Sequence, residues 1–92
     1  MKPFDWNPYK NKLLRKTRGV GFEDVVNAIH ENCLLTILEH PNREKYPNQR
    51  VYIVAINNYA YAVPFVDNKK VCFLKTIYPS RKYTKQFLSK KE

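Results

Sequence analysis

Three cationic residues, Arg50, Lys75 and Arg81, flank or interrupt apolar stretches of the chain, where they could bind phosphate. The guanidinium fork of arginine matches the geometry of phosphate oxygens, and lysine supplies a compact positive charge. Lys75 interrupts an apolar strand, which is costly unless its side chain faces water or a ligand. Arg50 begins one predicted strand and Arg81 follows another, so we expect the three cations to converge at one end of the sheet. Arg50 also has a plainer interpretation as an ordinary arginine at a strand edge.

Histidine is the obvious acid–base group for chemistry on phosphate, and the chain has two. His40 lies in a polar loop shortly before the strand of Arg50, which makes it the better candidate. His30 is expected near the end of a helix, where the helix dipole favours its cationic form. Tyr52 and Tyr78 could add base stacking or proton relay. The predicted catalytic residues are Arg50, Lys75, Arg81 and His40.

Charge is the strongest compositional signal in this sequence. The 92 residues include 17 basic and 8 acidic side chains, for a net charge of +9. Such an excess favours a polyanionic partner, namely RNA, DNA or an acidic protein. Runs of charge are usually no more than a solvated surface, but two basic clusters in so short a chain favour polyanion binding. The predicted RNA-binding residues are Tyr52, Tyr78, Lys82, Lys85, Lys10 and Arg15.

Several other kinds of chemistry are not indicated. Cys33 and Cys72 have neither zinc-ligand spacing nor a disulfide framework, so we interpret them as buried thiols in a reducing cytosol. We find no metal-ligand grouping, no Gly-rich phosphate loop and no nucleophile elbow, so no metal or cofactor is expected. The chain has no apolar run that could span a bilayer and no signal-peptide core. We therefore expect a single cytoplasmic domain over residues 1–92, without a membrane partner.

Residues 50–77 dominate the fold prediction. They are rich in Val, Ile, Tyr and Phe and are broken by two Asn/Asp-containing turns, which predicts three antiparallel strands. Pro64 cannot donate to a strand ladder, so we predict a bulge or an unpaired position midway along its strand.

Helical patterns stand before and after this meander. Asn7 and Pro8 are typical of a helix start, and the first helix should bury Leu13 and Leu14. A second helix is predicted over residues 20–29, and Ser80 should cap a last one. With short strands at 4–6 and 34–38, the predicted order is β-α-α-β-β-β-β-α. This order predicts an α+β domain with two N-terminal helices, an antiparallel sheet of about four strands and a C-terminal helix, the helices lying against one face.

Three segments of the chain resemble toxins of the BrnT family. Phe4-Asp-Trp-Asn-Pro-Tyr-Lys and Gly19-Val-Gly-Phe-Glu-Asp-Val-Val are similar to the family patterns F-x-W-D-P-x-K and G-V-S-F-E-E-A. Ile77-Tyr-Pro-Ser-Arg-Lys-Tyr-Thr is similar to the family's I-S-A-R-R-A-T segment. The resemblance covers nearly the whole chain in order. It departs at Asn7, where Asp is usual, and at Gly21, where Ser is common and a capping hydroxyl is therefore missing.

The resemblance implies a RelE-like fold and a type II toxin that acts as a ribonuclease and is neutralised by a cognate antitoxin, with a heterotetramer as one expected assembly. It places Arg81, Lys82 and Thr84 where the last family segment has R, R and T. Metal-free RNA cleavage needs a base for the 2′-OH, a group that stabilises the phosphorane and an acid for the leaving oxygen. The alternative is a non-catalytic RNA-binding or protein-binding module, because tyrosines among lysines also suit single-stranded RNA.

Overall fold

The computed structural model describes residues 2–88 of the chain, and the basic residues Lys90 and Lys91 near its end lie outside them. The α+β class is confirmed, and the helices and strands follow one another as predicted, except that the last strand is divided. The elements are β1 (Phe4–Trp6), α1 (Pro8–Arg18), α2 (Phe22–His30), β2 (Leu34–Glu39), β3 (Gln49–Ile56), β4 (Tyr59–Asp67), β5 (Cys72–Leu74), β6 (Tyr78–Pro79) and α3 (Arg81–Phe87).

The sheet differs from the predicted antiparallel sheet of about four strands. Its strands lie in the order β1-β5-β4-β3-β2, and β6 also pairs with β4. The strand β1 runs parallel to β5, whereas all the other pairs are antiparallel. A parallel pair needs a long crossover connection, and here the two helices and the first part of the meander supply it.

Pro64 divides the last strand of the meander into β5 and β6. Leu74 pairs with Phe65, but Tyr78 pairs with Ala62, so the later segment contains one residue more than the stretch of β4 that it faces. This extra residue is a β-bulge, and it lies where proline has no N–H to give to the ladder. The predicted irregularity at Pro64 is therefore present, but the extra residue lies in the facing segment and not in the strand of Pro64, which pairs with β3 without a break.

The bulge reverses the alternation of side chains along this edge of the sheet. Without it, Tyr78 would face the same side of the sheet as Leu74, because the two residues are four positions apart and side chains alternate along a strand. Instead Ile77 is fully buried in the core under α1 and α2, and Tyr78 faces the other side, with Ala62.

The helices cover both faces of the sheet. The first face, which we call the α1–α2 face, carries Val54, Val63, Phe65 and Leu74, which pack with Phe22 of α2. The second, which we call the α3 face, carries Ile53, Ala60 and Ala62, packed with Tyr83 and Leu88. The prediction that all three helices lie against one face is wrong, because the bulge carries the chain to the α3 face before the last helix begins. None of the helices in residues 2–88 is long and apolar enough to cross a membrane.

A hydrogen bond from another helix compensates for the missing hydroxyl at Gly21. The backbone N–H of Phe22 donates to Asn11 Oδ1 at 2.7 Å, and that of Gly21 donates to Asp24 Oδ2 at 2.9 Å. Asn11 of α1 therefore caps the start of α2. A Cβ atom at residue 21 would lie 2.6 Å from Arg15 Nε, so a larger residue here would displace the Arg15 side chain.

The first helix begins and ends as its sequence predicts. Asn7 Oδ1 accepts hydrogen bonds from the N–H groups of Tyr9 and Lys10, and Gly19 ends the helix with a φ of 76°. Leu14 is only 3% exposed, but Leu13 is 52% exposed. The prediction that both leucines are buried is wrong for Leu13, because adjacent residues of a helix point about 100° apart.

We predict that Leu14→Ala lowers the free energy of unfolding by about 2–5 kcal/mol, because it leaves a cavity in the core. Leu13→Ala is the matched control on the same helix and should cost less than about 1 kcal/mol. Urea denaturation of the two variants measures both values. Equal losses would mean that α1 does not pack as described.

Candidate nucleic-acid interface

The structure separates Arg50 from Arg81. Arg50 pairs with Phe65 near the end of β4, whereas Ser80, just before Arg81, donates its N–H to the Ala60 carbonyl near the start of β4. Ala60 pairs with Ala55, which lies five positions after Arg50 on β3, or about 17 Å away at roughly 3.4 Å per residue. The predicted convergence is wrong, because the third strand of an antiparallel meander starts, and does not end, beside the start of the first.

Arg50 takes part in an ion-pair cluster at its end of the sheet. Its Nη2 donates to Asp67 Oδ2 at 2.9 Å, and its guanidinium lies 5.3 Å from the ring centroid of Phe65. Lys2 also donates to the Asp67 carboxylate. The hydrogen bond from Lys2, with a smaller contribution from Arg50, holds the pKa of Asp67 below its usual value. Arg50 therefore joins strands β3 and β4, and its charge is already compensated.

Tyr52 belongs to the packing of the same end. Its ring stacks on Phe65 with the centroids 3.9 Å apart, and its hydroxyl lies 3.4 Å from Cys72 Sγ. Burial raises the pKa of Tyr52 above its ordinary value, so the phenol stays neutral. The expected base-stacking role is not supported here, because Phe65 already occupies one face of the ring.

His40 lies at the Arg50 end, as the sequence predicts, but away from Arg81. Glu39, the residue before it, pairs with Arg50 across β2 and β3. The Nδ1 atom of His40 accepts a hydrogen bond from the N–H of Asn42 at 3.0 Å, so this ring nitrogen is already engaged within the loop. The four predicted catalytic residues therefore do not form one site.

Lys75, Tyr78 and Arg81 share the α3 face. Lys75 Nζ lies 5.8 Å from the ring centroid of Phe73, whose neighbours along β5 point to the α1–α2 core. Tyr78 joins this face through the bulge, and Arg81 is the first residue of α3. We call the exposed residues that follow β5 the basic face; it consists of Lys75, Tyr78, Arg81, Lys82 and Lys85, together with Lys10 of α1, which shares a groove with Lys75.

An open groove of about 590 Å³ joins α1 to β5 and contributes to the basic face. It brings together Lys10 and Lys75, which are 65 residues apart in the chain. Residues that sequence analysis missed also line it, namely Asn7, Tyr9, Leu13 and Phe73. A partial signal exists for two of them, since Tyr9 and Leu13 are four residues apart and so share one side of α1.

The cations of the basic face form no ion pair with any acidic residue of the described chain. In residues 2–88, the ion pairs within 4.0 Å are made by Lys2, Arg15, Arg43 and Arg50. Arg15 was expected to bind RNA, but its guanidinium bonds Glu23 and Asp24, and the hydrogen bond to Glu23 is the main cause of its raised pKa. Arg15 thus fixes the junction of α1 and α2.

No group of three or more His, Cys, Asp or Glu residues within the described part of the chain could hold a metal ion. Comparison of the chain with protein-family models, curated proteins and solved structures gives no match. Membership of the BrnT family therefore stays a prediction that rests on the three sequence segments.

We predict that Asp67 makes the protein less stable in acid. Its folded pKa lies below the unfolded value of about 3.9, so its ion pairs stabilise the fold above that pH and are lost as the pH falls through the folded pKa. Urea denaturation at a series of pH values should show a steeper loss between about pH 5 and pH 3 in the wild type than in Asp67→Asn. Parallel curves would show that the cluster contributes no pH-dependent stability.

Proposed function

We propose that this protein is the toxin of a type II toxin–antitoxin pair and cleaves mRNA in the cytoplasm without a metal ion. The observation that carries the proposal is the basic face, where Lys75, Tyr78 and Arg81 lie with further lysines, none of which forms an ion pair within residues 2–88. Unpaired cations on one surface attract a polyanion and are free to contact its phosphates. The BrnT-like segments favour a toxin over other RNA-binding proteins.

The proposed reaction is attack of a ribose 2′-oxygen on the adjacent phosphorus. The P–O5′ bond breaks, leaving a 2′,3′-cyclic phosphate and a 5′-hydroxyl. Arg81 would hold the phosphate and stabilise the charge that develops on its oxygens. Tyr78 would relay the 2′-OH proton to water, and Lys75 would protonate the leaving 5′-oxygen. Lys82 and Lys85 would bind flanking phosphates and position the strand.

One observation favours the second candidate function, an RNA-binding module without catalysis. Within residues 2–88, neither histidine lies on the basic face. His40 lies at the Arg50 end, and His30 lines a groove with Phe4 and Val26 beside the α1–α2 core. Product analysis separates the two functions, because only a ribonuclease leaves 2′,3′-cyclic phosphate ends on RNA.

We predict that Arg81→Ala abolishes the growth arrest that induction of the wild-type protein causes. Arg81 is exposed, and no acidic partner lies near it in the described chain, so the thermal midpoint should change little. The measurement is growth after induction, together with thermal melting of the purified variant.

Arg43→Ala is the matched control, since Arg43 is a 73% exposed arginine in the loop after β2. It should leave the arrest intact. Full toxicity of the Arg81 variant would contradict the role given to Arg81.

We predict that the partner encoded beside this protein binds it faster at low salt. A net charge of +9 steers an acidic chain toward the basic face, and salt screens that attraction. Lys82→Gln combined with Lys85→Gln should slow association at low salt, and Lys69→Gln combined with Lys70→Gln is the control with the same change of charge. A rate independent of salt would reject charge steering. The absence of any complex would count against a toxin and favour the RNA-binding module.

A further inference from the structure

We propose that Tyr9 and Phe73 form a base-stacking subsite for unpaired RNA bases in the groove between α1 and β5. The proposal rests on the proposed function and names the part of the substrate that this groove would hold. The proposed reaction uses Lys75, Tyr78 and Arg81 for proton transfer and phosphate binding. It gives no role to the apolar residues of the groove, which are therefore available to bind another part of the substrate.

The first observation is the exposure of the apolar side chains. Tyr9 is 83% exposed although it lies within the first turn of a capped helix, and Leu13, one turn later, is 52% exposed. Phe73 faces the same groove from β5. Single exposed apolar side chains are ordinary on a protein surface. Here two exposed side chains and the half-buried Phe73 line one groove, and together they form a contiguous surface of the kind that ligands cover.

The second observation is the charge around these side chains. Among residues 2–88, the charged residues that line the groove are Lys10 and Lys75, and none of its lining residues is a carboxylate. Asp5 faces the same side from β1, where its Oδ1 accepts a hydrogen bond from the N–H of Trp6 at 2.8 Å. An occupant that suits the groove therefore has flat apolar surfaces and negative charge.

Single-stranded RNA has both properties at each nucleotide. Lys75 Nζ lies over the ring of Phe73, 5.8 Å from its centroid, so a base that takes the place of the ammonium group on this ring would keep its phosphate within reach of that group. Lys10 lines the same groove as Tyr9 and supplies a second cation there. Duplex RNA is excluded from this mode, since its bases are paired and stacked inside the helix. Base stacking on aromatic rings tolerates most sequences, so the subsite would hold the strand without selecting a motif.

The test is fluorescence anisotropy with a labelled oligoadenylate of about 12 nucleotides, a length suited to such grooves. Its 2′-oxygens are methylated so that it cannot be cleaved by 2′-OH attack. We expect Tyr9→Ala to weaken binding about tenfold and Tyr9→Phe to retain nearly all the affinity. Tyr46→Ala, in the loop at the other end of the sheet, is the matched control and should bind like the wild type.

The dependence of affinity on salt separates stacking from charge. The slope of log K against log salt should stay unchanged in Tyr9→Ala, and should become shallower by about 0.7 in Lys75→Ala, the value for one phosphate contact to a single strand. Phe73→Ala is a second test of the subsite and should also weaken RNA binding. Tyr9→Ala is the cleaner test, because Tyr9 is so exposed that its loss should not disturb folding.

Three results would overturn the subsite. Tyr9→Ala could bind the oligonucleotide as tightly as the wild type, it could change the salt slope instead of the affinity, or it could weaken duplex RNA equally. If any one of these results is found while the wild type arrests growth and binds RNA, the subsite is rejected and the proposed function stands. A wild-type protein that neither binds RNA nor arrests growth rejects both. If Tyr9→Ala loses antitoxin binding but keeps its affinity for RNA, the groove binds a protein, and RNA is rejected as its occupant.

Discussion

The bulge opposite Pro64 is the constraint on which the rest of this structure depends. A continuous β5–β6 strand would need a backbone N–H that proline does not have, and the extra residue avoids that requirement. It turns Ile77 into the core and Tyr78 toward the α3 face. The last helix then starts on that face, where Thr84 Oγ1 accepts a hydrogen bond from the Ala60 N–H at 2.8 Å. Tyr78 and the start of α3 owe their place on the α3 face to this one irregularity.

The two faces of the sheet use similar side chains for different purposes. On the α1–α2 face, Arg15 and Arg50 each bond carboxylates and hold separate elements together. On the α3 face, Arg81 and the nearby lysines have no such partner in the described chain. An arginine that is paired with a carboxylate stabilises the fold and attracts a polyanion only weakly. An unpaired arginine contributes less to the fold and keeps its full charge for a polyanion. Environment, and not residue type, therefore separates the structural cations from those proposed to bind RNA.

Local signals predicted much of the fold. Asn7 caps α1, Ser80 caps α3, and Pro64 marks the bulge, because each of these effects acts within a few residues. The failures were non-local. Arg50 looked catalytic because its partner Asp67 is 17 residues away, and its convergence with Arg81 failed on strand direction. The groove was missed because the exposure of Tyr9 and Phe73 depends on how α1 sits against β5, which periodicity does not report.

Ultraviolet cross-linking of bound RNA, followed by peptide mapping, tests most directly whether RNA lies on the basic face of the intact protein. Aromatic residues in contact with bases form covalent adducts without any substitution, so the fold is undisturbed. We predict adducts at Tyr78 and at the groove residues Tyr9 and Phe73. Adducts confined to Tyr46 or Tyr52, at the Arg50 end of the sheet, would contradict an RNA-binding role for the basic face.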